Sequence, residues 1–126
     1  MKARALALAL VTGVGLVAAP AALAKDGDVR VKGSCTASST AKLKLSDEDG
    51  RIEVEFEVDQ NRNGVRWNVK LMRGGKQLAS TSATTRAPSG SFTVRRVVSN
   101  AAGRDTIKAI AKRNGETCTA TATATF

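Results

Sequence analysis

Three glutamates at alternate positions are the residues of this 126-residue chain that most resemble catalytic groups. Glu53, Glu55 and Glu57 supply carboxylates of the kind that glycosidases use as a pair. The same residues alternate with Val54 and Phe56, which is typical of the solvated face of a strand. The sequence contains no His and no Tyr, so its serines lack the usual base partner. We therefore interpret the chain as a non-catalytic protein without a cofactor.

A D-x-N-x-N-G segment that begins at Asp59 matches the first half of a calcium-binding loop. Asp59, Asn61 and Asn63 would offer oxygen ligands at alternate positions. The second half departs from the pattern, because Lys70 stands where a bidentate Glu is required. A polar hairpin connection explains the same residue types through their backbone preferences. Weak calcium binding is the alternative.

The basic residues are distributed unevenly along the chain. Residues 25–72 contain nine basic and nine acidic residues, whereas residues 73–126 contain nine basic and two acidic ones. Two segments of the second half, 91–98 and 106–113, are expected to be neighbouring strands. Together they would form a basic face that attracts polyanions, and ordinary solubility charge is the alternative explanation. The candidate anion-binding residues are Arg95, Arg96, Lys108, Lys112 and Arg113.

The N-terminus has the pattern of a secretory signal peptide over residues 1–24. Lys2 and Arg4 precede an uncharged apolar stretch, and small residues at 22 and 24 offer a cleavage site before Lys25. An uncleaved membrane anchor is the alternative, which Pro20 and the weak hydrophobicity of the stretch argue against. Cleavage would leave a single domain, 25–126, with 18 basic and 11 acidic residues and a net charge of +7.

The chain has two cysteines, Cys35 and Cys118. In an exported chain an even number of cysteines predicts a disulfide. The alternatives are two buried thiols or a metal pair, but the absence of His leaves a zinc site without ligands. We expect one disulfide that links the start of the domain to its last segment.

Period-two alternation of apolar and polar residues predicts about eight strands. Turn signals such as Asn-Gly and Gly-Gly separate them. The predicted strands are Val29–Ser34, Lys42–Leu45, Arg51–Asp59, Arg66–Leu71, Gln77–Thr84, Ser91–Val98, Thr106–Arg113 and Cys118–Phe126.

The charges suggest a register for a three-stranded meander over residues 41–71. Leu45 is placed opposite Ile52, and Val58 opposite Val65. This register collects the apolar side chains on one face, with Phe56 near Trp67. On the other face it forms the cross-strand pairs Lys44–Glu53, Lys42–Glu55, Glu57–Arg66 and Glu53–Lys70.

A second sheet must cover the apolar face of this meander. The segments that contain Phe92, Ile107 and Ala120 supply it, with a bulge expected at Arg95–Arg96 where the alternation breaks. The fold class is therefore all-β: a two-sheet antiparallel sandwich, immunoglobulin-like, with seven or eight strands and one disulfide. A closed barrel is the alternative.

Several stretches resemble a group of small exported proteins of high-GC Gram-positive bacteria. They are the Ala-Leu-Ala exit of the signal, KLKL at 42–45, EVEFEVDQNRNG at 53–64, APSGSFTVRR at 87–96 and GETC at 115–118. The resemblance covers most of the mature chain. It implies a sandwich of the immunoglobulin or fibronectin type III kind and an extracytoplasmic location, and it supplies no activity.

Together these features predict a secreted binding or structural domain that associates with an anionic cell-envelope polymer through a basic face. A protein-interaction module, such as an adhesion subunit or inhibitor, is the alternative; it would act through loops 59–64 and 86–91 or by strand addition. The aromatic residues are predicted to point inward and therefore to offer no stacking platform. This argues against nucleic acid as the partner.

Overall fold

The computed structural model describes residues 27–126, which form nine strands in two antiparallel sheets. This arrangement confirms the predicted sandwich, with one strand more than expected. The predicted signal peptide, 1–24, lies outside the described residues. The strands are β1 (Val29–Lys32), β2 (Ser34–Cys35), β3 (Thr40–Glu48), β4 (Arg51–Asp59), β5 (Arg66–Arg73), β6 (Lys76–Thr84), β7 (Ser91–Ser99), β8 (Asp105–Arg113) and β9 (Glu116–Ala124).

The first sheet has the strand order β1-β3-β4-β7, and the second has the order β2-β9-β8-β5-β6. In an immunoglobulin-type sandwich, strands A, B and E share one sheet while C, F and G share the other. Here β3, β4 and β7 correspond to strands A, B and E, and β5, β8 and β9 correspond to strands C, F and G. β6 is added beside β5. Residues 27–126 contain no helix of the length and hydrophobicity that crossing a membrane requires.

The core lies between the sheets and consists of the inward-facing residues of each strand. Trp67 from the second sheet and Phe92 from the first meet there with ring centroids 6.0 Å apart. Alanines on β8 and β9 allow close approach to the larger side chains opposite. The largest fully buried apolar side chains are Trp67, Phe56, Leu43, Leu45, Ile52, Leu71 and Ile107.

The β3–β4 hairpin confirms the predicted faces but not the predicted register. Leu45 lies opposite Val54 instead of Ile52, and Lys44 lies opposite Glu55. The strands extend further than expected because the turn contains two residues, Asp49 and Gly50, both with positive φ (48° and 77°). Such two-residue turns match the twist of the flanking strands. A shift of two positions keeps every side chain on its face.

The prediction that β5 pairs with β4 is wrong. The chain crosses from β4 to the other sheet, and β7 pairs with β4 instead, placing Phe56 opposite Val94. Phe56 and Trp67 both face the core, but from opposite sheets. The predicted pairs of Glu57 with Arg66 and of Glu53 with Lys70 therefore do not form. A hairpin and a crossover place the same residues inward, so alternation alone does not distinguish them.

The predicted bulge at Arg95–Arg96 is also wrong, as is the assignment of β7 to the second sheet. The β4–β7 register is continuous through both arginines, with Val54 opposite Arg96. Arg96 occupies an inward-facing position, yet its side chain is exposed and its Nη1 donates to the carbonyl oxygen of Arg95. The register shift instead occurs in β5–β6, beside Leu71.

Gly33 explains why the first predicted strand is divided into two. The chain leaves the first sheet after β1 and enters the second as β2, and Gly33 lies at the crossing. Its N–H donates to the carbonyl oxygen of Ala41 at 2.8 Å. A Cβ there would clash with the carbonyl oxygen of Thr119 and would lie 3.0 Å from the Cβ atoms of Ala41 and Ala120. Glycine therefore permits the two sheets to share this segment.

We expect Gly33→Ala to lower the free energy of unfolding by about 1–3 kcal/mol, because the added methyl group overpacks the crossing. Gly27→Ala is the matched control, since a Cβ at that position meets nothing within 4 Å. Urea denaturation of the two variants measures the difference. Equal stability of the two variants would show that the crossing relaxes without cost.

Candidate functional site

The five predicted anion-binding residues do not form one face. β7, which contains Arg95 and Arg96, lies in the first sheet, whereas β8, which contains Lys108, Lys112 and Arg113, lies in the second. The expectation that these two strands are neighbours is therefore wrong. Each residue has to be considered in its own surroundings.

Arg95 is neutralised by glutamates of the adjacent strand. Its Nη2 lies 2.5 Å from Oε2 of Glu53, and its Nε lies 3.9 Å from Oε1 of Glu55. The hydrogen bond from Arg95 lowers the pKa of Glu53 to about 2. Lys44 completes the row, 3.8 Å from Glu55. The outer face of the first sheet thus carries both acidic and basic side chains. The sequence predicted such a face for the three glutamates, although with other basic residues as their partners.

Arg113 faces inward and belongs to a partly buried network. Its Nη2 lies 3.1 Å from Oε1 of Glu116, and its guanidinium carbon lies 5.5 Å from the centroid of the Trp67 ring. The charge of Arg113 is therefore compensated within the fold, and its side chain, which is 27% exposed, does not share the outward face of Lys108 and Lys112.

Lys108 and Lys112 point outward from the second sheet, and two basic residues of β5 join them there. The register places Lys112 opposite Asn68 and Lys108 opposite Met72. Because outward residues recur at every second position, Arg66 and Lys70 share this face. We call Arg66, Lys70, Lys108 and Lys112 the cationic track.

Successive members of the cationic track are diagonal neighbours across β5 and β8. The order along the face is Arg66, Lys112, Lys70 and Lys108. Diagonal neighbours in an antiparallel pair stand about 7–8 Å apart. The track spans about 20 Å, from the level of Arg66 to the level of Met72, at about 3.4 Å per residue. All four side chains are exposed.

The outer face of the second sheet has no carboxylate among the described residues. Strands β5, β6, β8 and β9 contain two acidic residues, Asp105 and Glu116. Both point inward and are buried, at 1% and 3% exposure. Within residues 27–126, no member of the cationic track lies within ion-pair distance of an acidic group. The positive charge of this face is therefore uncompensated.

Neutral hydrogen-bonding side chains surround the cationic track. β9 presents Thr117, Thr119, Thr121 and Thr123 on one side, with Thr121 and Thr123 exposed. Two shallow grooves of about 430 and 460 Å³ adjoin the half-buried side chains of Met72 and Ile110. Lys70 and Lys112 also line the first groove, and Lys108 also lines the second. The face thus offers cations, hydroxyl groups and small apolar contacts.

Sequence reasoning missed Arg66 and Lys70 because it paired them with Glu57 and Glu53. Those pairs disappear once β5 belongs to the other sheet. A sequence signal was available, since the span 66–126 contains two acidic residues and both occupy inward positions of their strands. Of the five predicted anion-binding residues, Lys108 and Lys112 lie on this face.

The Asp59 loop is held by bonds within the protein. Oδ1 of Asp59 accepts a hydrogen bond from the backbone N–H of Asn61 at 2.9 Å. The backbone N–H of Gln60 donates to the carbonyl oxygen of Gly90 at 3.0 Å, while Oε1 of Gln60 accepts from Trp67 Nε1. These bonds give the side chains of Asp59 and Gln60 partners within the protein, and calcium binding by Asp59, Asn61 and Asn63 stays a prediction.

The disulfide between Cys35 and Cys118 confirms the predicted pairing. These two residues and Glu116 are the one group of potential ligands in residues 27–126 that clusters as a metal site would. Both sulfur atoms are used in the disulfide, so the cluster does not offer thiolates.

The fold and this surface define a small disulfide-linked β-sandwich of the immunoglobulin type with an uncompensated cationic face on the outside of its second sheet. No protein-family model, no curated protein and no solved structure matched the chain.

Proposed function

We propose that the protein is an exported, non-catalytic domain that binds a linear polyanion of the cell envelope along the outer face of its second sheet. The observation that carries this proposal is the cationic track: four exposed basic side chains in a row across β5 and β8, with no carboxylate on the same face within residues 27–126. A charged surface of one sign raises the local concentration of polymers of the opposite sign.

The composition of the track supports a polymer over a small ligand. Three of its four members are lysines, which act as mobile point charges and impose little geometric selection. The sheet is an open surface with shallow grooves, whereas small-molecule sites are concave and mostly apolar. An extended chain with repeated negative charges meets several members of the track at once.

The signal-peptide pattern of residues 1–24 and the disulfide both support an extracytoplasmic location. An envelope polymer is then the polyanion that such a domain meets. Nucleic acid is the less favoured partner because the described aromatic side chains serve the core: Phe56, Trp67 and Phe92 are buried and leave no stacking platform on the track.

We expect Lys70→Glu/Lys108→Glu to weaken the binding of end-labelled polyphosphate and of heparin by tenfold or more at about 0.15 M salt. Lys32→Glu/Lys42→Glu is the matched control: it changes the net charge equally, but on the outer face of the first sheet. Four phosphate contacts predict a slope of log K against log salt near −3, and the track variant should reduce this slope by about half. Titrations between about 0.05 and 0.5 M salt measure both quantities.

Equal losses in the two variants would contradict the proposal, because binding would then follow net charge and not the track. Binding that did not weaken with salt would contradict it as well, since exposed charges are screened at high ionic strength.

A second candidate function, a protein-interaction module, is favoured by the contact between the two predicted loops. The backbone N–H of Gln60 donates to the carbonyl oxygen of Gly90, and the hydroxyl of Thr85 donates to the carbonyl oxygen of Arg62. Loops 59–64 and 86–91 therefore form one continuous surface, where Arg62 and Arg86 are exposed. Arg62→Ala/Arg86→Ala would abolish this function and leave polyphosphate binding by the track nearly unchanged.

A further inference from the structure

The cationic track repeats at a constant interval along the second sheet. Its four members alternate between β5 and β8, and each lies two residues further along the strands than the one before it. At about 3.4 Å per residue, one positive charge therefore recurs about every 6.8 Å. A linear polymer whose charges have a similar spacing can place each of them on one member of the track.

Each member of the track also lies directly opposite a hydroxyl-bearing residue of the flanking strand. The pairs are Arg66–Thr84 and Lys70–Ser80 toward β6, and Lys112–Thr117 and Lys108–Thr121 toward β9. The Cβ atoms of directly opposite residues stand about 4.5–5.5 Å apart. Within residues 27–126, none of these four hydroxyl groups takes part in a hydrogen bond. The repeating unit of the face is therefore one cation with one hydroxyl group.

A polymer in which three-carbon polyols are joined by phosphodiesters has a matching repeat. Six covalent bonds separate one phosphorus atom from the next, and six bonds of an extended chain span about 7 Å. Each unit of such a polymer carries one negative charge and one free hydroxyl group. Polyphosphate has only two bonds between phosphorus atoms and no hydroxyl groups on its internal units, so it matches the charge of the track but not its repeat.

We propose that the polyanion bound by the cationic track is a phosphodiester-linked polyol, with a phosphate on each cation and the polyol hydroxyl groups bonded to the flanking Ser and Thr residues. This inference rests on the proposed function, because it names the polymer that the same face would bind. A Ser or Thr hydroxyl both donates and accepts, as a polyol hydroxyl does. The half-buried side chains of Met72 and Ile110 lie beside the lysines and would contact the methylene groups of the chain.

Single-stranded nucleic acid also has six bonds between phosphorus atoms, but its bases require a different surface. Proteins that bind single strands stack the bases on aromatic side chains. The described aromatic residues Phe56, Trp67 and Phe92 are buried in the core, and the strands on both sides of the track present hydroxyl groups instead. The face therefore favours a polymer of polyol units over one of nucleotides.

Two synthetic oligomers of equal length and charge test the proposal. One is a 1,3-glycerol phosphodiester, and the other is a 1,3-propanediol phosphodiester, which has the same spacing but lacks the hydroxyl group. We expect the disulfide-linked protein, from residue 25, to bind the glycerol oligomer about tenfold more tightly, since only this oligomer forms the additional hydrogen bonds. Fluorescence anisotropy of end-labelled oligomers at about 0.1 M salt measures both dissociation constants.

Thr84→Val/Thr121→Val removes one hydroxyl group on each side of the track and keeps the charge and the β-branched shape. It should lower the preference for the glycerol oligomer from about tenfold to about threefold, because two of the four hydroxyl contacts remain. Its affinity for the propanediol oligomer should stay nearly unchanged. Thr40→Val/Thr93→Val is the matched control, since it makes the same change at exposed positions on the outer face of the first sheet.

The control variant should keep the full preference, and thermal unfolding checks that both variants are folded. Equal affinity of the wild type for the two oligomers, or binding of neither, would overturn the proposal. A preference that Thr84→Val/Thr121→Val leaves intact would also contradict it. Tighter binding of oligothymidylate with the same number of phosphates would overturn it in favour of nucleic acid.

Polyphosphate separates this proposal from the proposed function. If polyphosphate binding depends on Lys70 and Lys108 while the two oligomers bind equally, the polyol assignment fails alone. If Lys70→Glu/Lys108→Glu leaves the binding of polyphosphate and of both oligomers unchanged, the cationic track is not the binding surface and both proposals fail.

Discussion

Removing the disulfide with Cys35→Ala/Cys118→Ala is expected to lower the free energy of unfolding by about 4.5 kcal/mol. The two cysteines are 83 positions apart in the sequence and face each other directly across β2 and β9. Cross-linking so distant a pair removes much of the conformational freedom of the unfolded chain. A loss of this size is a large share of the 5–15 kcal/mol that stabilises a typical domain.

Guanidinium denaturation of the oxidised wild type, the reduced wild type and the double variant measures this effect. The reduced wild type is the control, because it loses the cross-link but keeps both sulfur atoms in the core. We expect the two forms without the bond to agree within about 1 kcal/mol. β2 has two residues, so its amide protons should also lose protection from exchange before those of β9. A loss below about 1 kcal/mol would contradict the loop-entropy explanation.

Glu116 holds the loop after β2 against the end of β8. Its side chain accepts hydrogen bonds from the backbone N–H groups of Ala37 (3.2 Å) and Ser39 (3.0 Å) and from the Ser39 hydroxyl (2.7 Å). Arg113 donates a charged hydrogen bond at 3.1 Å. Burial of Glu116 favours the protonated form, but the bonds from Ser39 and Arg113 outweigh it and lower the pKa of Glu116 below 4.5.

We expect Glu116→Gln to lower the free energy of unfolding by about 3 kcal/mol at neutral pH, because it leaves Arg113 and the loop donors without their anion. Glu57→Gln, on the outer face of the first sheet, is the matched control and should cost less than about 0.5 kcal/mol. Urea denaturation at a series of pH values gives both numbers.

The pH dependence of this difference has a definite sign. A carboxyl whose pKa is lower in the folded state stabilises the fold above its unfolded pKa, and this stabilisation is lost as the pH falls through the folded pKa. The gap between wild type and Glu116→Gln should therefore be widest at neutral pH and narrow in acid below about 4.5. A gap that stayed constant down to about pH 2 would show that the charge of Glu116 contributes little.

The candidate site illustrates how far alternation can be interpreted without a structure. Period two places Lys70 and Lys108 outward and Phe56 and Trp67 inward, and all four predictions are confirmed. The same pattern does not indicate which strands are neighbours in a sheet. Pairing β5 with β4 gave Lys70 a glutamate partner, although Lys70 has none within ion-pair distance among the described residues.

Local chemistry was therefore sufficient to determine the strand segments apart from the division at Gly33, the face of nearly every side chain and the pairing of Cys35 with Cys118. Arg96 is the exception, since it occupies an inward position of β7 opposite Val54 and yet its side chain is exposed.

Only the tertiary structure decided that β5 crosses to the second sheet, that β7 brings Arg95 to Glu53, and that β6 ends a sheet. These are choices among partners far apart in sequence. A hairpin and a crossover bury the same residues, so they differ through long-range packing and not through any local pattern. That choice of sheet separates the neutralised Arg95 from the uncompensated cationic track.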